Sequence, residues 1–242
     1  MRKVIIVFSL IISVTLFTNC KQPAKTQIFY VNESYIGIRE GRAVKFYKTK
    51  DQVKWVYNPN RDFVSPGDFD DAFYFVGAYI GVRNGRTVKF YKTNKQGTWN
   101  YGGAGRDFVS PGDVDGVFHY NGALIGVWQG HTIKFYQAHK DGSWSSSALG
   151  DFTSPEEIDG AFNPTGSDLA IRAGRTVKFY ALDGQGNWSH ITGRDFTSPD
   201  EVDYIFYLET GAMGLVKGRI VKFYQVNADG TWSYRSGQDF SF

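Results

Sequence analysis

Val44-Lys45-Phe46-Tyr47, Val88-Lys89-Phe90-Tyr91, Ile133-Lys134-Phe135-Tyr136, Val177-Lys178-Phe179-Tyr180 and Val221-Lys222-Phe223-Tyr224 are five copies of one short segment. Their first residues lie 44, 45, 44 and 44 positions apart. Working outward, a Trp stands eight residues after each Tyr: Trp55, Trp99, Trp144, Trp188 and Trp232. Eight or nine residues beyond each Trp comes Phe63, Phe108, Phe152, Phe196 or Phe240, each preceded by Asp. Register held this closely over five copies marks a repeat architecture built from one supersecondary unit.

Each copy reads as four short strands. In the third, Asp115–Tyr120, Ala123–Trp128 and His131–Ala138 alternate with Asn-Gly and Gln-Gly turns, and Asp141-Gly142 leads into the strand of Trp144. Glycine at each reversal supplies the positive φ that tight hairpins need. Phe and Tyr number 20 and 15 against 2 Met, an aromatic bias that favours strands. No window shows helical apolar spacing, so helix is expected to be essentially absent. Antiparallel four-stranded units repeated every 44 or 45 residues suit the blades of a propeller, and five copies give a five-bladed β-propeller over residues 27–242. The chain stops at Phe240-Ser241-Phe242, where another first strand would begin, and Ile28-Phe29-Tyr30-Val31 aligns with Ile205-Phe206-Tyr207-Leu208. The sequence reading therefore has the N-terminal strand completing the last blade, which would leave no unpaired edge at the seam.

The leading residues differ in kind. Arg2 and Lys3 precede an almost wholly apolar run from Val4 to Phe17, too short for a comfortable membrane span and read as a signal peptide over residues 1–19. Cys20 is the sole cysteine, so it has no partner for an internal disulfide. Leu16-Phe17-Thr18-Asn19-Cys20 resembles a bacterial lipobox of the relaxed kind that accepts Asn before the Cys. The resemblance implies cleavage before Cys20, acylation of that residue, and a short linker over 20–26. Lys21, rather than Asp, after the acylated position implies sorting to the outer membrane. Without residues 1–19 the chain carries 25 basic and 24 acidic side chains, a balance that gives no general attraction to nucleic acid.

The repeated polar and aromatic positions are the candidate binding residues. An indole offers a flat face to the C–H face of a sugar, and equally fills space between blades. The aspartates before each Phe (Asp62, Asp107, Asp151, Asp195 and Asp239) can each accept two hydroxyls, or cap a turn instead. Arg61, Arg106 and Arg194 precede that Asp in three copies, with Gly150 and Gln238 in the others, so unequal sites are expected. Lys45, Lys89, Lys134, Lys178 and Lys222 lie inside strands and must snorkel or meet an acid, for which Asp70, Asp115, Asp159 and Asp203 are attractive partners. Those same acids would alternatively ring the axis and hold a cation. The four histidines, His119, His131, His139 and His190, occupy four different repeat positions, and no zinc spacing or nucleophile–base pair is evident. Neither a cofactor nor a catalytic site is expected.

The order Lys-aromatic-Tyr, Trp, Phe, and then Phe118-His119-Tyr120-Asn121-Gly122-Ala123-Leu124-Ile125-Gly126-Val127 resembles the tachylectin-2 group. Those are five-bladed propeller lectins with one site per blade for N-acetylated amino sugars. The likeness runs from Ile28 to Phe240, with Arg106–Pro111 standing where that group carries a Gly-Gly-Trp type segment. It implies a non-catalytic, multivalent glycan binder; with the lipobox resemblance, the expectation is a monomer held at the membrane by its lipid alone. Val114-Asp115-Gly116-Val117-Phe118 and Ile158-Asp159-Gly160-Ala161-Phe162 also look like the first strand of hemopexin-type repeats, a family of four-bladed propellers, which implies a protein-docking scaffold as the alternative.

Overall fold

The computed structural model describes residues 26–32, 35–49, 54–208 and 211–242, so the expected signal peptide, Cys20 and most of the linker lie outside the described residues. Five antiparallel sheets follow one another along the chain. In blade 3, strands Gly116–His119, Leu124–Gln129, Thr132–Ala138 and Trp144–Ser146 pair in sequence order, and Phe152–Thr153 pairs with the far end of the third strand. The outermost position of a blade is thus shared by two short pieces, one carrying the Trp and one the Phe. The other sheets repeat this plan, starting at Gln27–Asn32, Asp71–Phe75, Gly160–Phe162 and Tyr204–Leu208. Helix is limited, among the described residues, to the 3₁₀ turns Pro59–Arg61 and Ala104–Arg106.

The five first strands form a cycle: each lies against the first strand of the next blade, and Gln27–Asn32 lies against both Asp71–Phe75 and Tyr204–Leu208. The ring is closed, but not by the expected strand exchange. Gln27–Asn32 pairs with its own neighbour Tyr35–Glu40, with Phe29 opposite Gly37, and the last blade draws all its strands from Tyr204–Ser241. The equal spacings, Phe29 to Val44 and Phe206 to Val221, place both segments in the same role within their own sheets. Pairing across a two-residue connection closes a far shorter loop than pairing across the whole chain, and closure entropy favours the local hairpin. The seam is instead held by side chains. Ile28, Ile36 and Ile38 pack with Phe206, Leu208, Val216 and Phe223, while Tyr47 meets Phe240 at 5.1 Å. Glu40 also pairs with Arg219 at 3.4 Å.

Two local devices explain the repeated residues. In four blades a first-strand Phe lies flat over a second-strand glycine: Phe29 on Gly37, Phe73 on Gly81, Phe118 on Gly126 and Phe206 on Gly214. A Cβ at Gly126 would stand 2.3 Å from the Phe118 ring, so a glycine is required for the close approach. Blade 4 carries Ala170 there, and its Phe162 stacks on Tyr207 of the next blade at 5.9 Å. The second device concerns the acids expected to meet the strand lysines. Their carboxylates accept instead from the first residue of the hairpin turn between the second and third strands: Gly85 N to Asp70 (2.7 Å), Gly130 N to Asp115 (2.7 Å), Gly174 N to Asp159 (2.6 Å) and Gly218 N to Asp203 (2.7 Å). These glycines are held at positive φ, as Gly130 at 54°, where a side chain would be strained. The lysines reach the surface and find other acids, Glu40 for Lys45, Glu156 for Lys178 and Asp200 for Lys222. A solvent-facing ammonium on a strand edge needs no buried counter-charge, which leaves the Asp free to serve the turn.

Candidate functional site

The five tryptophans sit at the joints between blades. Trp99 stacks on Phe46 of the preceding blade at 5.5 Å with the planes 21° apart, and its Nε1 donates to the Arg61 carbonyl at 2.8 Å. Trp144 does the same on Phe90 and the Arg106 carbonyl, Trp188 on Phe135 and the Gly150 carbonyl, and Trp232 on Phe179 and the Arg194 carbonyl. Each ring also meets the edge of the preceding blade's second Phe, as Trp144 meets Phe108 at 5.3 Å. Trp55 packs into the seam with blade 5, and its Nε1 is buried with no hydrogen-bond partner among the described residues. One indole face and the N–H are thus committed to the joint in four blades, while the rings remain half-buried.

What borders each indole differs. Between blades 2 and 3, Phe75, Tyr79, Phe90 and Arg106 from one side meet Ala138, His139, Gly142 and Trp144 from the other around a cleft of about 40 Å³. Between blades 1 and 2 the corresponding Tyr35 carries the Arg61 guanidinium over its ring at 4.5 Å. Between blades 4 and 5, Asp168 replaces the Tyr and pairs with Arg194 at 2.7 Å, an ion pair that occupies the guanidinium. Leu124 and Gly150 stand at the blade 3/4 joint, Ala212 and Gln238 at the 5/1 joint. The first residue of the second strand (Tyr35, Tyr79, Leu124, Asp168, Ala212) therefore decides each joint's character. It is a position the sequence reading passed over, detectable as variation inside an otherwise fixed register.

The aspartates before each Phe lie on the outer part of the blade and serve it directly. Tyr57 donates to Asp62, Tyr101 to Asp107 at 2.5 Å and Tyr234 to Asp239 at 2.7 Å, while Phe46 N donates to Asp62 at 3.4 Å. The hydrogen bond to the carboxylate holds the Tyr57 and Tyr101 phenols up at about 12. In blade 4 His190 takes the tyrosine's place, its Nε2 lying 2.8 Å from Asp195. That contact has the outline of a catalytic pair, yet it is one member of a repeated structural bond. In blade 3 the tyrosine's position in the register is held by Ser146. Trp99 pairs opposite Thr93 and Tyr101 opposite Tyr91, so Tyr101 stands between Trp99 and Asp107 along the blade edge. The polar group that joins the Trp in the blade 2/3 cleft is Arg106 of the neighbouring blade, with Asp107 outside its lining. Among the described residues there is no group of three or more His, Cys, Asp or Glu placed to hold a metal ion.

The fold and these joints define the class: a five-bladed β-propeller with unequal joints between its blades. No family model matches the chain, and no curated protein matches it. Among solved structures it is similar to a functionally unknown protein from Desulfotomaculum acetoxidans DSM 771, at 12% identity and a TM-score of 0.50, over 90% of this chain and 70% of that one. At that identity the likeness speaks for the fold.

Proposed function

We propose that the protein is a non-catalytic, multivalent carbohydrate-binding lipoprotein that uses the clefts between its blades, with N-acetylated amino sugars as the ligand class. The observation that carries this reading is the blade 2/3 cleft, where Phe75, Tyr79, Phe90 and Trp144 line one shallow opening together with Arg106 and His139. Aromatic walls suit the apolar face of a sugar, and a few fixed polar groups orient its hydroxyls and amide. At about 40 Å³ such a cleft supports one face of a ring rather than enclosing it, so each site is weak. Several weak sites on a rigid ring gain avidity on a surface that displays many copies of the ligand. The blade 1/2 joint, with Tyr35, Arg61, Phe46 and Trp99, is the second candidate site, and the 4/5 joint is weakened further by its internal ion pair. The Asp62, Asp107, Asp151, Asp195 and Asp239 carboxylates are further candidate contacts at the outer margin, since a carboxylate accepts hydroxyls through its remaining lone pairs.

Acylation at Cys20 would hold the ring against the outer membrane as a monomer, with no call on nucleic acid. Cys20→Ala, followed by labelled palmitate incorporation and membrane fractionation, tests the anchor: loss of label and release from the membrane support it. A glycan array probed with the purified protein tests the binding reading. Signal on N-acetylated sugars that disappears in Trp99→Ala and Trp144→Ala supports it, and silence across the array removes it. A docking role has its own support in Val64 and Val109, 68% and 61% exposed on the outermost strands of blades 1 and 2. Saturation by one protein partner per ring would favour that alternative.

A further inference from the structure

The axis of the ring holds a second feature that the perimeter clefts do not use. A channel of about 500 Å³ runs between the five first strands, from Gln27 and Tyr204 at one end to Asn121, Asn163 and Thr165 at the other. Its volume falls within the about 300–1,000 Å³ usual for small-molecule sites. Five residues of strand span about 16 Å, so the mean cross-section is about 30 Å², enough for a single sugar ring passing edge-on.

The lining is selective in composition. In a chain with 21% charged residues, none of the residues that line the channel is Asp, Glu, Lys or Arg. Phe29, Phe73, Phe118, Phe162 and Phe206 stand in the lining, one from each blade. The rings of Phe29, Phe73, Phe118 and Phe206 are themselves buried, and Tyr30, Tyr74 and Tyr204 add half-buried aromatic rings. One step along each strand, in the same register, stand Tyr30, Tyr74, His119, Asn163 and Tyr207. Like the first residue of the second strand, this ring of positions varies from blade to blade. Its local hydrogen bonds leave capacity over. Tyr74 accepts from Ala78 N at 3.1 Å and keeps its hydroxyl proton. Asn163 donates to the Asp168 carbonyl at 2.6 Å and keeps its amide oxygen. His119 meets the Gly122 carbonyl through Nε2 at 2.8 Å, which fixes the proton on Nε2 and leaves Nδ1 as an acceptor. Burial holds its pKa below the ordinary value, so the ring is neutral at pH 7. Each first strand has a ladder partner on one side only, so its other edge turns backbone N–H and C=O groups towards the axis. At the far end Gln27 crosses between blades, donating to Tyr204 Oη at 3.4 Å and accepting from Ala72 N at 2.9 Å.

We infer that the axial channel is a separate binding site for one neutral, hydroxyl-rich small molecule of mono- to disaccharide size, oriented by Tyr74, His119 and Asn163. Aromatic walls meet the apolar faces of such a ligand, and one donor with two acceptors meets its hydroxyls. A charged molecule would leave water for a lining that offers no counter-charge, a large desolvation cost. The site requires no glycan binding at the perimeter.

The test is a titration of the purified full chain, read by native mass spectrometry and calorimetry. The probes are glucose, N-acetylglucosamine and its β-1,4 dimer, set against glucuronic acid and glucosamine as charged counterparts of the same ring. The expected result is one equivalent of a neutral probe per ring that persists in the Trp99→Ala/Trp144→Ala variant. That equivalent weakens at least tenfold in Tyr74→Phe/Asn163→Ala, and the charged sugars bind at least tenfold more weakly. Loss of every equivalent in the Trp variant, equal binding of charged sugars, no binding of any neutral probe, or indifference to Tyr74→Phe/Asn163→Ala each overturns the axial site. If the channel variants fail to fold, a crystal of the wild-type protein soaked with the dimer decides: density on the axis supports the inference and an empty axis overturns it. Perimeter binding fails by a different sign, the absence of any equivalent that depends on Trp99 or Trp144.

Discussion

Replacing Gly126 with Ala adds a single methyl group where the Phe118 ring already lies. The new Cβ would stand 2.3 Å from Phe118 Cε1 and 2.4 Å from Cζ, well inside van der Waals contact. Phe118 is itself held, 6.5 Å from Tyr120 and 6.1 Å from Trp128 of its own blade by ring centroids and in one apolar cluster with Ala161 and Leu169 of blade 4, so it cannot swing aside without disturbing the joint. Overpacking of this kind costs about 1–3 kcal/mol, and the rigidity of the joint argues for the upper end. Alanine in a strand recovers about 0.5–1 kcal/mol relative to glycine, which leaves a net loss of about 2 kcal/mol. For a domain of this size that corresponds to a fall in Tm of about 4–8 °C. Thermal and urea unfolding of Gly126→Ala measure it directly. Phe118→Leu in the same background should recover part of the loss, giving a favourable coupling energy in a double-mutant cycle. Gly126→Ala within about 0.5 kcal/mol of the wild type, or a cycle with no coupling, would refute the reasoning that ring-on-glycine contact sets the spacing of the two inner strands.

Further outcomes follow from the same contacts. Trp144→Ala removes the stack on Phe90, the edge contact with Phe108 and the bond to the Arg106 carbonyl, and should cost about 2–4 kcal/mol in urea unfolding; Trp144→Phe keeps the packing and should cost about 1 kcal/mol. Asp115→Ala deprives Gly130 N of its 2.7 Å acceptor and should destabilise by about 1 kcal/mol, with Asp159→Ala behaving alike at Gly174. His119, its pKa lowered by burial, binds its proton more weakly folded than unfolded. Its stabilising contribution is therefore complete above the unfolded value of about 6.5 and is lost as pH falls through the folded pKa, by at most about 1.4 kcal/mol per pH unit. The stability difference between wild type and His119→Gln, measured from pH 7 to pH 5, should shrink along that slope, and a constant difference would exclude the effect.

The repeat was legible because its signals are local and redundant. The Gly at each hairpin, the alternation through Val-Lys-Phe-Tyr and the fixed distance to Trp each specify the same sheet independently. The closed ring of five blades matches the expectation, and only the sheet of the N-terminal strand differs, because aligned first strands look the same whether a segment belongs to its own sheet or completes another; hairpin length decides between them, and the link between Asn32 and Tyr35 is short. The lysine partners were misassigned for a related reason. Asp115 and Lys134 recur together in sequence, but the recurrence of Asp115 tracks the positive-φ Gly130 whose N–H it accepts. At the candidate site, the placement of Trp at the joints was within reach of the pattern. Which blade lends the polar group was not: Arg106 comes to Trp144 from the neighbouring sheet, and a contact across two repeats leaves no short spacing to read. The axial ring of Tyr30, Tyr74, His119, Asn163 and Tyr207 was hidden by its variability, since reading for repeated residues discards positions where the blades differ.

The account turns on glycan capture by the perimeter clefts, and the number of sugars held per ring tests it most directly. Titration of the purified protein with N-acetylglucosamine should show more than one equivalent. Trp99→Ala should remove one, Trp144→Ala another, and the combined variant both, while the ring stays folded. No bound sugar at saturating concentration, or a stoichiometry untouched by either indole, would contradict it.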